Sequence, residues 1–293
     1  MNNYYKYLPI SGEDEKWGIN VLDAGCTRIH PSEDYPDASH PMHHYFNWSK
    51  GRTLQEYQVI YITKGEGIFE SKSCPQTKIN EGTIILLFPD EWHRYRPDKS
   101  TGWDEYWIVF KGAAIQNIMK ENFFHPANPL LTIGHDEKVL GILSVIIETT
   151  KYEGAGYQPL ISGAVLHLLG YIYSTFRQDS FKQENQVEIT VNKARIILRE
   201  NSDKNISVET IAEELQVSYA WFRKAFKSYT GMAPGQYLIQ LKIQRAKELL
   251  SNPSKSIKQI AYDMQFDSAF YFSRLFKEKT GVTPAQYRKK IKM

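Results

Sequence analysis

At 293 residues the chain is long enough for two domains with cores of their own, and too short for three. A composition of 42% hydrophobic and 24% charged residues, with no low-complexity tract, excludes fibrous and disordered classes. The net charge of +3 is unevenly spread: residues 189–293 carry 19 Lys or Arg against 9 Asp or Glu, and residues 1–188 carry 17 against 24, so a basic part that meets a polyanion is expected beside an acidic part with another task.

The opening MNNYYKYLPISGEDEKWG has no basic stretch followed by an apolar one, so no secretory signal is expected. Cys26 and Cys74 match no metal spacing and read as reduced thiols of a cytoplasmic protein. The longest apolar runs, 83–89 and 164–173, fall short of the roughly 20 residues that span a bilayer. Up to about residue 110, short β-branched or aromatic segments (57–63, 67–71, 83–88 and 103–110) alternate with turn residues, which predicts strands of a sandwich or barrel. Lys64-Gly65-Glu66-Gly67 is a candidate hairpin turn between the first two. Adjacent His43 and His44 would face opposite ways on a strand and make a poor chelate.

From about residue 112 the apolar period lengthens. Residues 135–152 place Val139, Leu140, Leu143, Ile146 and Ile147 on one helical face. A second helix is expected through about Arg177, with a wide stripe from Leu160 to Phe176 that either covers the barrel or serves a partner subunit. Polar QDSFKQENQVE then reads as a linker. The expected domains are therefore 1–178, a linker at 179–188, and 189–293.

Residues 207–237 and 256–287 repeat one another. Ser207, Ile211, Ala212 and Gln216 recur 49 residues later as Ser256, Ile260, Ala261 and Gln265; Phe222, Phe226, Lys227, Gly231, Pro234 and Tyr237 recur 50 residues later, so the second turn has one extra residue. Each copy reads as helix, turn, helix. Ser207 and Ser256 are N-caps, with Gln259 placed to complete a capping box. The alanines let two helices cross closely, the phenylalanines form a buried face, and Gly231 and Gly281 suit a left-handed helix end. Residues 234–251 form an amphipathic connecting helix with Leu238, Leu241 and Leu249 among its apolar positions.

This arrangement over residues 189–293, and IAYDMQFDSAFYFSRLFKEKTGVTPAQYR above all, resembles the DNA-binding domain of the AraC/XylS family of bacterial transcription regulators. One departure is Gln265, where the family usually has Gly before the Phe of the turn; a positive φ there would strain glutamine. The resemblance implies two recognition helices in successive major grooves of double-stranded DNA. It places Ala220, Arg223 and Lys224 of the first copy, and Ala269, Phe270, Ser273 and Arg274 of the second, at base-reading positions. Phe270 meets thymine methyls or else packs on its neighbouring helix. Lys227 and Lys277, further along, are expected at phosphates.

Residues 57–111 resemble the cupin-like effector domain of sugar-responsive members of the family. EGTIILLFPDEWHRY matches the second cupin motif with Gly82, Pro89 and His93, whereas TLQEYQVIYITKGEG lacks the histidines of the first. No metal or other cofactor is therefore expected, and a metal-dependent cupin enzyme is the remote alternative. The family's pocket positions match Arg52, Tyr95, Glu105 and Trp107, near the 24–26 strand. Arg52 and Glu105 suit hydroxyls and Trp107 the face of a sugar ring. Together these features predict a cupin-like jelly-roll barrel with a helical dimerisation hairpin, then an all-α double helix-turn-helix. The implied protein is a homodimeric, non-membrane regulator controlled by a small molecule, a monosaccharide by resemblance. An effector-independent regulator whose first domain only dimerises is the alternative.

Overall fold

The computed structural model describes residues 3–35, 48–182, 185–204, 206–252 and 254–291. The chain divides into two compact units, Met1–Asp179 and Ser180–Met293. The pair His43-His44 lies outside the described residues, as do 183–184 within the expected linker.

The first unit begins with β1 (Tyr4–Tyr7), a single turn α1 (Gly12–Glu15) and β2 (Asn20–Ile29). There follow β3 (Arg52–Thr53), β4 (Tyr57–Gly65), β5 (Gly67–Ser71), β6 (Thr77–Ile79), β7 (Thr83–Leu87), β8 (Trp92–Pro97) and β9 (Trp103–Lys111). α2 (Ala113–Lys120), β10 (Leu130–Thr132), α3 (Glu137–Tyr152) and α4 (Tyr157–Lys182) complete it. Pairing gives a six-stranded sheet, β1-β2-β9-β4-β7-β10, and a four-stranded sheet, β3-β8-β5-β6. The two pack through Ile60, Ile62, Trp107 and Val109 of the larger sheet and Phe69, Ile79 and Tyr95 of the smaller.

The expected hairpin at Lys64-Gly65-Glu66-Gly67 does not form. Gly65 pairs with Trp103 in the larger sheet and Gly67 with Pro97 in the smaller, so the chain changes sheets at Glu66. Gly65 is required there, because its φ is +87° and a Cβ would lie 2.1 Å from the Gly102 carbonyl oxygen.

Side-chain alternation gives the larger sheet two apolar faces. Ala24, Tyr61, Ile108 and Phe110 pack with α3 and α4, while Trp103, Trp107 and Val109 face the smaller sheet. Gln158 of α4 clamps β2: its Oε1 accepts from the Val21 N–H at 3.2 Å and its Nε2 donates to the Val21 carbonyl at 2.9 Å. The Ser162 hydroxyl donates to the Ile19 carbonyl at 2.8 Å.

The second helix runs to Lys182, past the expected end at Arg177. Its stretch Tyr157–Gln178 is long and apolar enough to cross a membrane, more than the run at 164–173 suggests. Its stripe divides: Ile161, Val165, Leu168 and Ile172 are fully buried against the sheet, and Leu160, Leu166 and Phe176 are exposed.

The second unit is helical: α5 (Asn185–Glu200), α6 (Val208–Glu214), α7 (Tyr219–Thr230), α8 (Pro234–Ser251), α9 (Ile257–Asp263), α10 (Ala269–Thr280) and α11 (Pro284–Ile291). It has two cores. Val191, Ala194 and Leu198 of α5 pack with Ile211, Ala212, Phe222, Phe226 and Leu238. Ile243, Ala246 and Leu250 of α8 pack with Ile260, Ala261, Met264, Phe272 and Phe276. α8 thus closes the first core with its start and founds the second with its end. The duplication extends to ring geometry. Phe222 and Phe226 meet edge-on at 5.6 Å and Phe226 and Tyr237 at 5.4 Å, against 5.7 Å for Phe272–Phe276 and 5.5 Å for Phe276–Tyr287.

Candidate functional site

Each helix-turn-helix is fixed by local chemistry. Ser207 and Ser256 cap α6 and α9 by accepting from the N–H groups of Thr210 and Gln259, both at 3.0 Å. The capping box at Gln259 stays open, because its amide reaches forward to Asp263 at 2.8 Å instead of back to the cap. Gly231 and Gly281 end α7 and α10 at φ +82° and +78°. Ser218 and Ser268 cap the recognition helices by accepting from Trp221 and Tyr271. Neither was singled out in the sequence, although each is a serine directly before an apolar helical run.

Both turns pass through a left-handed residue: Gln216 at φ +56° and Gln265 at +53°. The conformation that glycine would relieve at Gln265 is therefore present. Gln265→Gly should stabilise the second unit by about 0.5–1 kcal/mol, the left-handed cost of about 1–2 kcal/mol less the greater entropy of unfolded glycine. Thermal unfolding measures it, and no gain would mean the turn is unstrained. Lys242 of α8 braces the same turn: its Nζ donates to the Met264 carbonyl at 3.0 Å and sits 5.3 Å from the Phe266 ring centroid. Burial lowers its pKa.

On α7, Ala220, Arg223, Lys224 and Lys227 are all exposed, opposite buried Phe222, Ala225 and Phe226. On α10, Phe270, Arg274 and Lys277 are exposed. Phe270 is 78% exposed, which answers the alternative of packing. Ala269 is half-buried against the second core, and the half-buried Ser273 donates its hydroxyl to the Ala269 carbonyl at 2.8 Å. Of the residues placed at DNA-contacting positions of α10, an aromatic ring, an arginine stacked 5.6 Å from the Tyr271 ring centroid, and a lysine are exposed.

In the first unit, Arg52, Tyr95, Glu105 and Trp107 lie on strands whose side chains meet between the two sheets. Arg52 pairs with His93 across β3 and β8; its Nε donates to His93 Nε2 at 3.2 Å and its Nη2 to Tyr95 Oη at 2.6 Å and Gln58 Oε1 at 3.5 Å. His93 Nε2 therefore accepts, which leaves Nδ1 to donate to the Glu91 carbonyl at 3.0 Å. Burial first, then the Arg52 charge, lowers the His93 pKa to about 3. A guanidinium thus occupies the side of His93 that a cupin metal would need, and among the described residues no three His, Cys, Asp or Glu converge.

Trp107 lies on β9 between Gly25 of β2 and Ile60 of β4. A Cβ at Gly25 would stand 2.4 Å from the indole, so glycine lets the ring lie across β2. There its Nε1 donates to Asp23 Oδ1 at 2.8 Å. Glu105, 3% exposed, accepts from the Tyr35 hydroxyl with both oxygens at 3.3 Å. Its pKa is pushed up to about 8, chiefly by burial. Tyr35 packs edge-on against Trp103, with ring centroids 5.5 Å apart, and tilted against Tyr95 at 6.0 Å.

Asp23, Gln58 and Tyr35 were not foreseen. A lone acid in NVLDAGC and a glutamine in YQVIYI, both in apolar strands, were available signals. Tyr35 follows a turn and carries none.

Comparison with known proteins follows this division. Residues 30–169 match the family described as an AraC-like ligand binding domain, and residues 211–290 that described as a helix-turn-helix domain. The Msm operon regulatory protein of Streptococcus mutans is 26% identical over 248 residues, covering 84% of this chain and 88% of that protein. The raffinose operon transcriptional regulatory protein RafR of Pediococcus pentosaceus is 25% identical over 296 residues and 99% of each chain. The lactose operon transcription activator of Staphylococcus xylosus is 25% identical over 226 residues, 76% of this chain and 80% of that one. Among solved structures, the DNA-binding domain of AdpA in complex with a target DNA is 29% identical, with a TM-score of 0.33 over 34% of this chain and 89% of that one.

Proposed function

The chain belongs to the AraC family of transcription regulators, DNA-binding proteins controlled through a ligand-binding domain, and from that premise we propose that its effector is a carbohydrate. The observation that carries this reading is the convergence of buried Glu105, Asp23, Gln58 and Tyr95 with the half-buried Arg52 around the Trp107 indole. Polar groups that fix hydroxyls beside an aromatic face are what a sugar ring requires. Relatives named for raffinose and lactose operons support it. A thermal-shift screen of the full chain against monosaccharides tests it. A ligand that binds the native state alone at a hundred times its Kd adds about 2.7 kcal/mol. No shift with any sugar, while operator binding persists, would favour an effector-independent regulator whose first unit only dimerises.

The working form is a cytoplasmic homodimer, joined through the exposed Leu160, Leu166 and Phe176 of α4, with residues 179–188 as the linker between domains of 1–178 and 189–293. Effector and dimer surface lie on opposite faces of one sheet, since β2 carries Asp23 into the pocket and is clamped at Val21 by Gln158. Effector binding shifts the equilibrium between arrangements that reach different half-sites and so activates transcription. Sedimentation with and without sugar checks this, and a strict monomer on DNA in both states would overturn it.

On DNA, α7 and α10 read successive major grooves. Arg223 takes a guanine edge with Lys224 beside it, Arg274 reads a base edge in the second groove, Phe270 with Ala220 and Ala269 meets thymine methyls, Ser273 completes the set, and Lys227 and Lys277 hold phosphates. In a binding-site selection, Arg223→Ala should relax preference at one base pair by about 1–3 kcal/mol, roughly five- to 160-fold, and leave the others unchanged. Equal weakening on every sequence would instead place Arg223 at the backbone.

A further inference from the structure

We infer that the polar cluster between the two sheets forms a pocket that takes uncharged carbohydrate and excludes sugar acids and sugar phosphates, with Glu105 as the residue that sets the ligand's charge. This inference rests on the carbohydrate reading and narrows it.

The charge balance of the site carries the argument. Two carboxyl groups, Asp23 and Glu105, each 3% exposed, enter the pocket from neighbouring strands. The cation facing them, Arg52, already donates to His93, Gln58 and Tyr95 and lies 5.4 Å from the Tyr95 ring centroid. His93 cannot supply a second positive charge, because its Nε2 accepts from Arg52. The remaining polar neighbours, the hydroxyls of Tyr35 and Tyr95, are neutral. A ligand carboxylate or phosphate would thus be a third acid, buried without an uncommitted cation among the described residues.

Glu105 itself reports this environment. A site that holds its own carboxyl protonated up to about pH 8 gives a ligand's carboxylate no better support. The protonated Glu105 carboxyl accepts an uncharged O–H, as it does from Tyr35, and can donate its own O–H to a ligand oxygen. Nearby Trp103 adds a buried indole N–H without a partner among the described residues, suited to a ligand oxygen. Polyols offer both donor and acceptor at each hydroxyl.

Matched pairs of a neutral sugar and its acid test the inference: galactose with galacturonate and glucose with glucuronate, which differ by one charge, and glucose with glucose 6-phosphate, which differs by about 1.5–2 at pH 7. Each is titrated calorimetrically into the full chain at pH 7. Any neutral member that binds should do so at least about tenfold more tightly than its acid, the scale of an uncompensated buried charge. Its affinity should fall about tenfold between pH 7 and 9 as Glu105 loses its proton, since only the protonated form donates. That fall should vanish in Glu105→Gln. Acids that bind as tightly as their neutral partners, or a wild-type affinity flat to pH 9, would overturn the charge rule and leave the carbohydrate reading standing. If no member of any pair binds, the carbohydrate reading fails and the charge rule fails with it.

Discussion

Raising the pH from about 6.5 to 8 should destabilise the first unit, and Glu105→Gln should abolish that loss. The Glu105 carboxyl titrates near 8 in the folded state against 4.5 when unperturbed, because burial outweighs the Tyr35 hydrogen bond and the Arg52 charge. The folded unit keeps a proton that the unfolded chain gives up near 4.5. The stability this confers is complete below that pH and is lost as pH climbs through the folded value. His93 acts in the opposite sense: its imidazolium is lowered to about 3 from 6.5, so stability present above 6.5 is lost as pH falls towards 3. Between about 4.5 and 6.5 the two slopes cancel and leave a plateau that falls off on either side. With 1.36 kcal/mol per pH unit, the alkaline limb amounts to about 2 kcal/mol by pH 8. Urea denaturation near pH 5.5, 6.5 and 8 checks this: the wild type should decline only over the last interval, and Glu105→Gln should stay level there. A wild type as stable at pH 8 as at 6.5 would mean that Glu105 ionises freely and that its surroundings are wetter than its burial implies.

The same contrast between local and long-range determinants explains how far the sequence could be read. The second unit was legible because its instructions are local and written twice. Serine caps, crossing alanines, paired phenylalanines and terminal glycines each act within a turn or two, and the left-handed glutamines stand where the repeat puts them. What escaped was α8 serving both cores, since its Leu238 and Ile243 look alike in one amphipathic run and only packing separates them. In the first unit the strands Tyr57–Gly65, Gly67–Ser71, Thr83–Leu87 and Trp103–Lys111 were legible and their sheets were not. Gly65 and Gly67 are two residues apart, yet their partners, Trp103 and Pro97, belong to different sheets, and no local signal encodes that. The polar cluster between the sheets stands between these cases. Arg52, Tyr95, Glu105 and Trp107 converge through strand alternation, whereas Tyr35 arrives from a turn and Asp23 is held by an indole 84 positions away.

Phe226→Ala and Phe276→Ala should each cost about 3–5 kcal/mol and should each dissolve only their own half of the second unit. Both rings are fully buried, each between a phenylalanine one turn back and a tyrosine from the next helix. The loss is a large share of the about 5–15 kcal/mol that holds a domain together. The two rings belong to separate cores, however, and α8 is the element that enters both. With Phe226 truncated, α6 and α7 lose what orders them against α5, but Ile243, Ala246 and Leu250 still have α9 and α10 to pack on. Hydrogen exchange should therefore show protection lost from α6 and α7 and kept in α9 and α10, with Phe276→Ala giving the mirror result. On operator DNA, each variant should lose its footprint over one half-site before the other. If either substitution collapses protection in all six helices from α6 to α11 together, α8 transmits unfolding from core to core. The two helix-turn-helix motifs would then be a single cooperative unit, and the half-sites could not be engaged one at a time.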